Sequence, residues 1–130
     1  MKRDMDLIRL ILLEIEKEYV STALINLKID GYDQETIAYH CKILHEKGFI
    51  SNYSSQYADN TLYYFAVGAL TWDGADYLDS IRDDSHWFKV KKTITDKGLP
   101  LMIDTIKTVS TAIISAATEG VVQAIFKNQI

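Results

Sequence analysis

His40, Cys41 and His45 form the densest group of side chains in this 130-residue chain that could bind a metal or act as a nucleophile. Cys41 and His45 lie four residues apart and share one side of a helix, a spacing that can hold an ion. His40 and His45, however, stand about 140° apart at 3.6 residues per turn, so the three cannot converge. Cys41 therefore reads as a small core residue. The carboxylate pair Asp83 and Asp84 reads as solvation at a helix end. The chain contains no P-loop, no Gly-x-Gly-x-x-Gly, no Gly-x-Ser-x-Gly and no His-Glu-x-x-His. The expectation is a non-enzymatic binding module with no catalytic residue, no metal ligand and no cofactor.

The elements that must position any binding surface follow from periodicity. Residues 4 to 18 place Ile8, Ile11, Leu12, Ile15 and Tyr19 on one helical stripe. In residues 24 to 29, Ile25, Leu27 and Ile29 alternate with Asn26 and Lys28, which predicts a half-buried strand. Asp33 is placed to cap a helix over residues 34 to 47, with Ile37, Cys41 and Leu44 inward and Gly48 at its C-terminal stop. Strands over 49 to 57 and 61 to 70, joined across Ala58, Asp59 and Asn60, predict a hairpin. Thr71 is expected to cap a helix through Trp72, Tyr77, Leu78 and Ile81 that ends near Asp84. A shorter helix follows from about Ser85 to Asp96, with Trp87, Val90 and Ile94 inward.

After Pro100 a last helix is expected, whose Met102, Ile106, Val109, Ile113 and Ala116 step in a heptad rhythm. That seam is expected to pack on the domain or to form a homodimer through the C-terminal helix. The fold class is thus α+β: a winged helix-turn-helix-like domain over residues 1–84, followed by a C-terminal helical extension over 85–130.

Composition sets the outer bounds. With 48% hydrophobic and 25% charged residues the chain is globular rather than disordered. A single cysteine excludes an internal disulfide and a four-cysteine zinc module. Asp4 and Asp6 speak against a secretory leader. The longest uncharged stretch of the last helix, Thr108 to Thr118, falls short of the roughly 20 apolar residues of a membrane span. A cytoplasmic protein without a membrane partner is expected.

The text of residues 36 to 50 resembles the winged-helix pattern in which a recognition helix ends in Leu-x-x-x-Gly-hydrophobic-Ile, here Leu44, Gly48, Phe49 and Ile50. Met1 to Arg9, Gly31 to Ile50, the Leu70-Thr71-Trp72-x-Gly74 segment and the Arg82-Asp83-Asp84-x-x-Trp87 segment together resemble a family of uncharacterised, phage-associated bacterial domains that open Met-Lys-Arg-Asp-Met-Asp-Leu-Ile-Arg. The likeness covers residues 1 to 105. It implies a bacterial or prophage origin and brings no catalytic residues. One departure from a standard winged helix is visible: little room is left for the usual middle helix.

Two kinds of partner remain, and a DNA-binding regulator of phage or mobile-element origin stands ahead of the alternative, a protein-binding accessory factor. DNA is favoured by the order of elements, with Gln34, Tyr39 and Lys42 on the outward side of the reader helix, beside Glu35 and Ala38, and with Lys89 and Lys92 as a further cationic pair. A host or phage protein is favoured by a wing that exposes Tyr53, Tyr57, Tyr63 and Tyr64 and has no Lys or Arg from residue 49 to 81. Some of those tyrosines must pack inward with Phe49 or Phe65. The net charge of −4 asks for a local basic patch if phosphate is the target.

Overall fold

The computed structural model describes residues 1–127. Its elements are α1 (Met5–Glu18), β1 (Leu24–Ile25), α2 (Gln34–Lys47), β2 (Tyr53–Ala58), β3 (Thr61–Val67), α3 (Trp72–Ile81), α4 (Asp84–Asp96) and α5 (Ile103–Lys127). They form two compact units, Met1–Asp79 and Ser80 onward.

In the first unit, α1 starts at Asp4, whose carboxylate accepts the Leu7 amide at 3.0 Å. Its Leu7, Ile8, Ile11, Leu12 and Ile15 are fully buried, each contributing about 1.5–3 kcal/mol in removal of apolar surface from water. No helix intervenes between α1 and α2. The strand expected over 24 to 29 shrinks to Leu24 and Ile25, because Asn26, whose amide still donates to the Phe65 carbonyl at 2.8 Å, turns left-handed at φ 53° and takes the chain out of the strand. Its side-chain carbonyl then accepts the Phe65 amide, which holds the chain against β3 while Leu27 turns into the core. Ile25, expected inward, is 65% exposed.

The sheet is antiparallel in the order β1-β3-β2, with Leu24 opposite Val67 and Tyr53 opposite Val67 from the other side. The hairpin closes on Asp59 and Asn60, both at positive φ, the conformation a two-residue turn needs to match strand twist. A register shift at Gln56/Tyr57 leaves Tyr63 as an extra residue on β3.

In the second unit, Asp83 caps α4 by accepting the His86 amide at 2.9 Å. Trp87, Val90 and Ile94 of α4 and Ile106 of α5 are buried there. Helix α5 runs from Ile103 to Lys127. By length and composition it is the one helix among the described residues long and apolar enough to cross a membrane, a property hidden in the sequence by counting only the uncharged stretch to Thr118.

Candidate binding surface

The reader-helix position is built by a lock between two sequence motifs. Gly48 ends α2 in the left-handed conformation, φ 86°, and its amide bonds back to His45. The next carbonyl, that of Phe49, receives the Thr71 amide at 3.0 Å, and the Thr71 hydroxyl donates to the Gly48 carbonyl while accepting the Gly74 amide. A Cβ at Gly74 would lie 2.2 Å from the Phe49 oxygen, so only glycine lets α3 approach this closely. Tyr77, one turn on, stacks on Phe49 with ring centroids 5.2 Å apart. The helix-to-wing transition and the Leu70-Thr71-Trp72-x-Gly74 segment are therefore one structural device. Trp72, at the start of α3, is 83% exposed.

Along α2, Ile37, Cys41 and Leu44 are buried as expected. Ala38 is buried as well, not outward, and His40 is only 1% exposed. Both His40 nitrogens are used. Nε2 accepts the Asp4 amide at 2.8 Å, so it carries no proton, and Nδ1–H donates to the Thr36 carbonyl at 2.8 Å. The Tyr32 hydroxyl donates to the other Asp4 oxygen at 3.3 Å. Burial, and then the negative Asp4, raise the Tyr32 phenol above its ordinary value. This cluster ties the start of α1 to the middle of α2. Burial pushes the Cys41 thiol up to about 12, which suits a core residue and not a nucleophile.

What α2 presents outward is mixed. Gln34, Glu35, Lys42, His45, Glu46 and Lys47 are exposed. The Gln34 amide donates to Asn26 at 3.0 Å, and Tyr39 is half-buried with its ring edge-on to His40 at 5.4 Å. Lys42 therefore stands between Glu35 and Glu46 on a helix whose other two expected contact residues have intramolecular partners. The residues up to Asp79 contain 7 Lys and Arg against 13 Asp and Glu, a formal net charge of −6.

The two faces of the sheet sort the tyrosines, since directly paired residues share a face. Tyr53, opposite Val67, lies on the inner face with its ring against Phe65 at 6.4 Å, and so drops from the expected exposed set. Burial raises its phenol above the ordinary value. Tyr57 is on the same row at the end of the hairpin, where the core no longer covers it, and is 63% exposed. The outer face carries Ile25 beside Ala66 and Ser54, then Tyr64 beside Gln56, with Tyr63 at the bulge, 71% exposed and edge-on to Tyr64. From Gly48 to Trp72 there is a single charged residue, Asp59. The Ile25 row escaped sequence reading because a regular strand over 24 to 29 would have turned that side chain inward.

In the second unit, Lys89 and Lys92 are both exposed, and Lys92 pairs with Asp96 at 2.9 Å. Lys91 lies over the Trp87 ring at 5.4 Å. The expected seam of α5 is used up locally: Ile106 is buried, Met102, Val109 and Ile113 are half-buried, and Ala116 is exposed. Ser110 is fully buried between them. Its hydroxyl donates to the Ser80 carbonyl, so the 2.8 Å contact with His86 is an Nε2–H donating to Ser110.

These elements define an α+β fold of winged-helix-like order, with β1, α2 and a β2–β3 wing, extended by further C-terminal helices. The chain belongs to the family described as hypothetical protein DUF2513, whose model matches residues 2–100. A Haemophilus influenzae protein described as uncharacterized is 40% identical over 116 residues, which is 88% of this chain and 97% of that one. No solved structure matches it.

Proposed function

We propose that this protein is a non-enzymatic binding module whose first unit engages another protein through the outer face of its sheet. The observation that carries this reading is the segment from Gly48 to Trp72, which has no Lys or Arg and exposes Tyr63 beside the uncharged Ile25, Ser54 and Gln56 row. Phosphate recognition draws its affinity from cations and released counterions, and a unit of net charge −6 opposes it. Tyrosine on a neutral, rigid sheet instead supplies large contact area at small entropic cost. A setting in a prophage or other mobile element, and a host or phage protein as the partner, belong to this reading.

DNA is kept as a second reading because the order of elements puts α2 where a recognition helix sits, with Lys42 outward. One experiment separates the two. The full chain and its Tyr63→Ser and Ile25→Asp variants are used to capture partners from nuclease-treated bacterial lysate, beside binding to random duplex DNA at two salt concentrations. The expected result is nuclease-resistant capture that both substitutions abolish, with no salt-dependent retention of DNA. DNA retention that falls steeply with salt, is weakened by Lys42→Glu and is unmoved by Tyr63→Ser would replace this reading with the second.

A further inference from the structure

Among the described residues of the second unit, a run of apolar side chains is left open on the distal half of α5. Past the buried Ser110, Ile114, Val121, Val122, Ile125 and Phe126 are 42 to 63% exposed on a regular helix. At 3.6 residues per turn, Ile114, Ala117, Val121, Ala124 and Ile125 fall within about 100° of arc, and Glu119 and Gln123 lie roughly opposite. On the wheel this stripe overlaps the side that buries Ile106 and Ser110, so it continues that side along α5 beyond the point where the rest of the unit covers it.

A bilayer fits it poorly. The hydrogen bonds of Ser110 to Ser80 and His86 hold α5 in its own unit up to that point. From Thr111 to Phe126 a helix covers about 24 Å, short of the roughly 30 Å hydrocarbon core, and Glu119 would sit inside it. Lying flat on a membrane is no better served, because no Lys or Arg occurs between Lys107 and Lys127 to meet anionic headgroups.

The stripe does complement itself. Read along the helix it alternates large and small: Ile114, Ala117, Val121, Ala124. We propose that it pairs antiparallel with the same stripe of a second copy, with the twofold axis at Glu119. In that register Ile114 of each copy lies over Ala124 of the other and Val121 over Ala117, so these two branched side chains each meet a small one, as interdigitating helices require, while Ile125 at the edge of the stripe falls level with Ile113. The interface is isologous. The two Glu119 carboxylates point away from the seam, and the antiparallel helix dipoles attract.

The test uses the full chain. Sedimentation equilibrium across a concentration series should give a mass near twice 14.8 kDa at high concentration, and Val121→Asp, at an exposed position, should remain at the monomer mass with unchanged helicity. Mixing Ile114→Cys with Ala124→Cys protein under oxidation should give a disulfide-linked pair. Ala117→Cys alone, which a parallel pairing would link to itself, should not. The wild type, whose Cys41 is buried, is the background. A wild type that is monomeric throughout, a Val121→Asp protein that still dimerises, linking by Ala117→Cys instead of the mixed pair, or flotation of the wild type with phosphatidylcholine–phosphatidylglycerol vesicles would each overturn the proposal.

Discussion

Replacing Gly74 by Ala tests the lock that shapes the first unit, because helix propensity and packing pull the result in opposite directions. Inside a helix the change should stabilise by about 1 kcal/mol. Here the new methyl would lie 2.2 Å from the Phe49 oxygen and 2.9 Å from its carbonyl carbon, both backbone atoms that no rotamer change can move. Ordinary C···O contact is about 3.3 Å, so α3 must retreat by about 1 Å. That retreat stretches the 3.0 Å bond from the Thr71 amide to Phe49 and the hydroxyl bond from Thr71 to Gly48, and it parts Tyr77 from Phe49. Overpacking costs about 1–3 kcal/mol and each weakened hydrogen bond about 1. Packing wins, and the expected net loss is about 2 kcal/mol, which lowers the melting temperature of a unit this size by on the order of 10 °C. Urea titration followed by circular dichroism reads the loss as a lower midpoint at constant slope. Gly120→Ala is the control, since nothing lies within 4 Å of a Cβ there and the midpoint should not fall. A Gly74→Ala protein as stable as the wild type would refute the close approach of α3 to Phe49, and with it the account of how the wing is set.

Two further substitutions probe the interior of α2. His40→Phe keeps a ring in the site but removes the acceptor of the Asp4 amide. It should cost about 1–3 kcal/mol, the usual penalty for a stranded buried donor, and hydrogen exchange should show it first at the Leu7 and Ile8 amides of α1; unchanged protection there would show that the imidazole does not anchor the helix. Cys41 should react with a disulfide reagent at pH 8 only as fast as the protein opens. Its thiol ionises from about 9 in the unfolded chain and at about 12 in the fold, so the stability it confers is complete below pH 9 and is lost as pH rises towards 12. Comparing Cys41→Ala with the wild type should show a shallower fall for the variant across that window. Equal slopes would mean the thiol is not shielded.

Much of the fold was legible in local text because local chemistry decides it. Asp33 and Gly48 bracket α2 as the cap rules require, and Asp59-Asn60 close the wing. His40 could have been found too, since it sits three residues after Ile37 on the same stripe as Cys41 and Leu44. Its partner Asp4 could not, being 36 residues away. The β1 expectation fell short for a similar reason: alternation at Ile25, Leu27 and Ile29 implies a strand until Asn26 finds a better bond to Phe65 across the sheet. The outer-face row and the open distal stripe of α5 lay beyond reach because they depend on which apolar side is covered and on how far along the helix that cover extends, and both are decided by packing rather than pattern.

The two surfaces left open share a physical character that bears on how the protein works. The first unit is acidic overall, yet its wing carries a single charge, Asp59 at the tip, and the distal stripe of α5 is free of charge along its length. Neither surface can draw a partner from a distance by electrostatic steering, so association through them is expected at ordinary, salt-insensitive rates and is held by apolar and aromatic contact. Self-pairing through α5 would present two wings in one particle, and a partner carrying two matching sites would then be bound with an avidity that neither wing has alone. Val121→Asp separates these contributions: it should weaken capture of such a bivalent partner while leaving binding by an isolated wing unchanged, whereas Tyr63→Ser should weaken both.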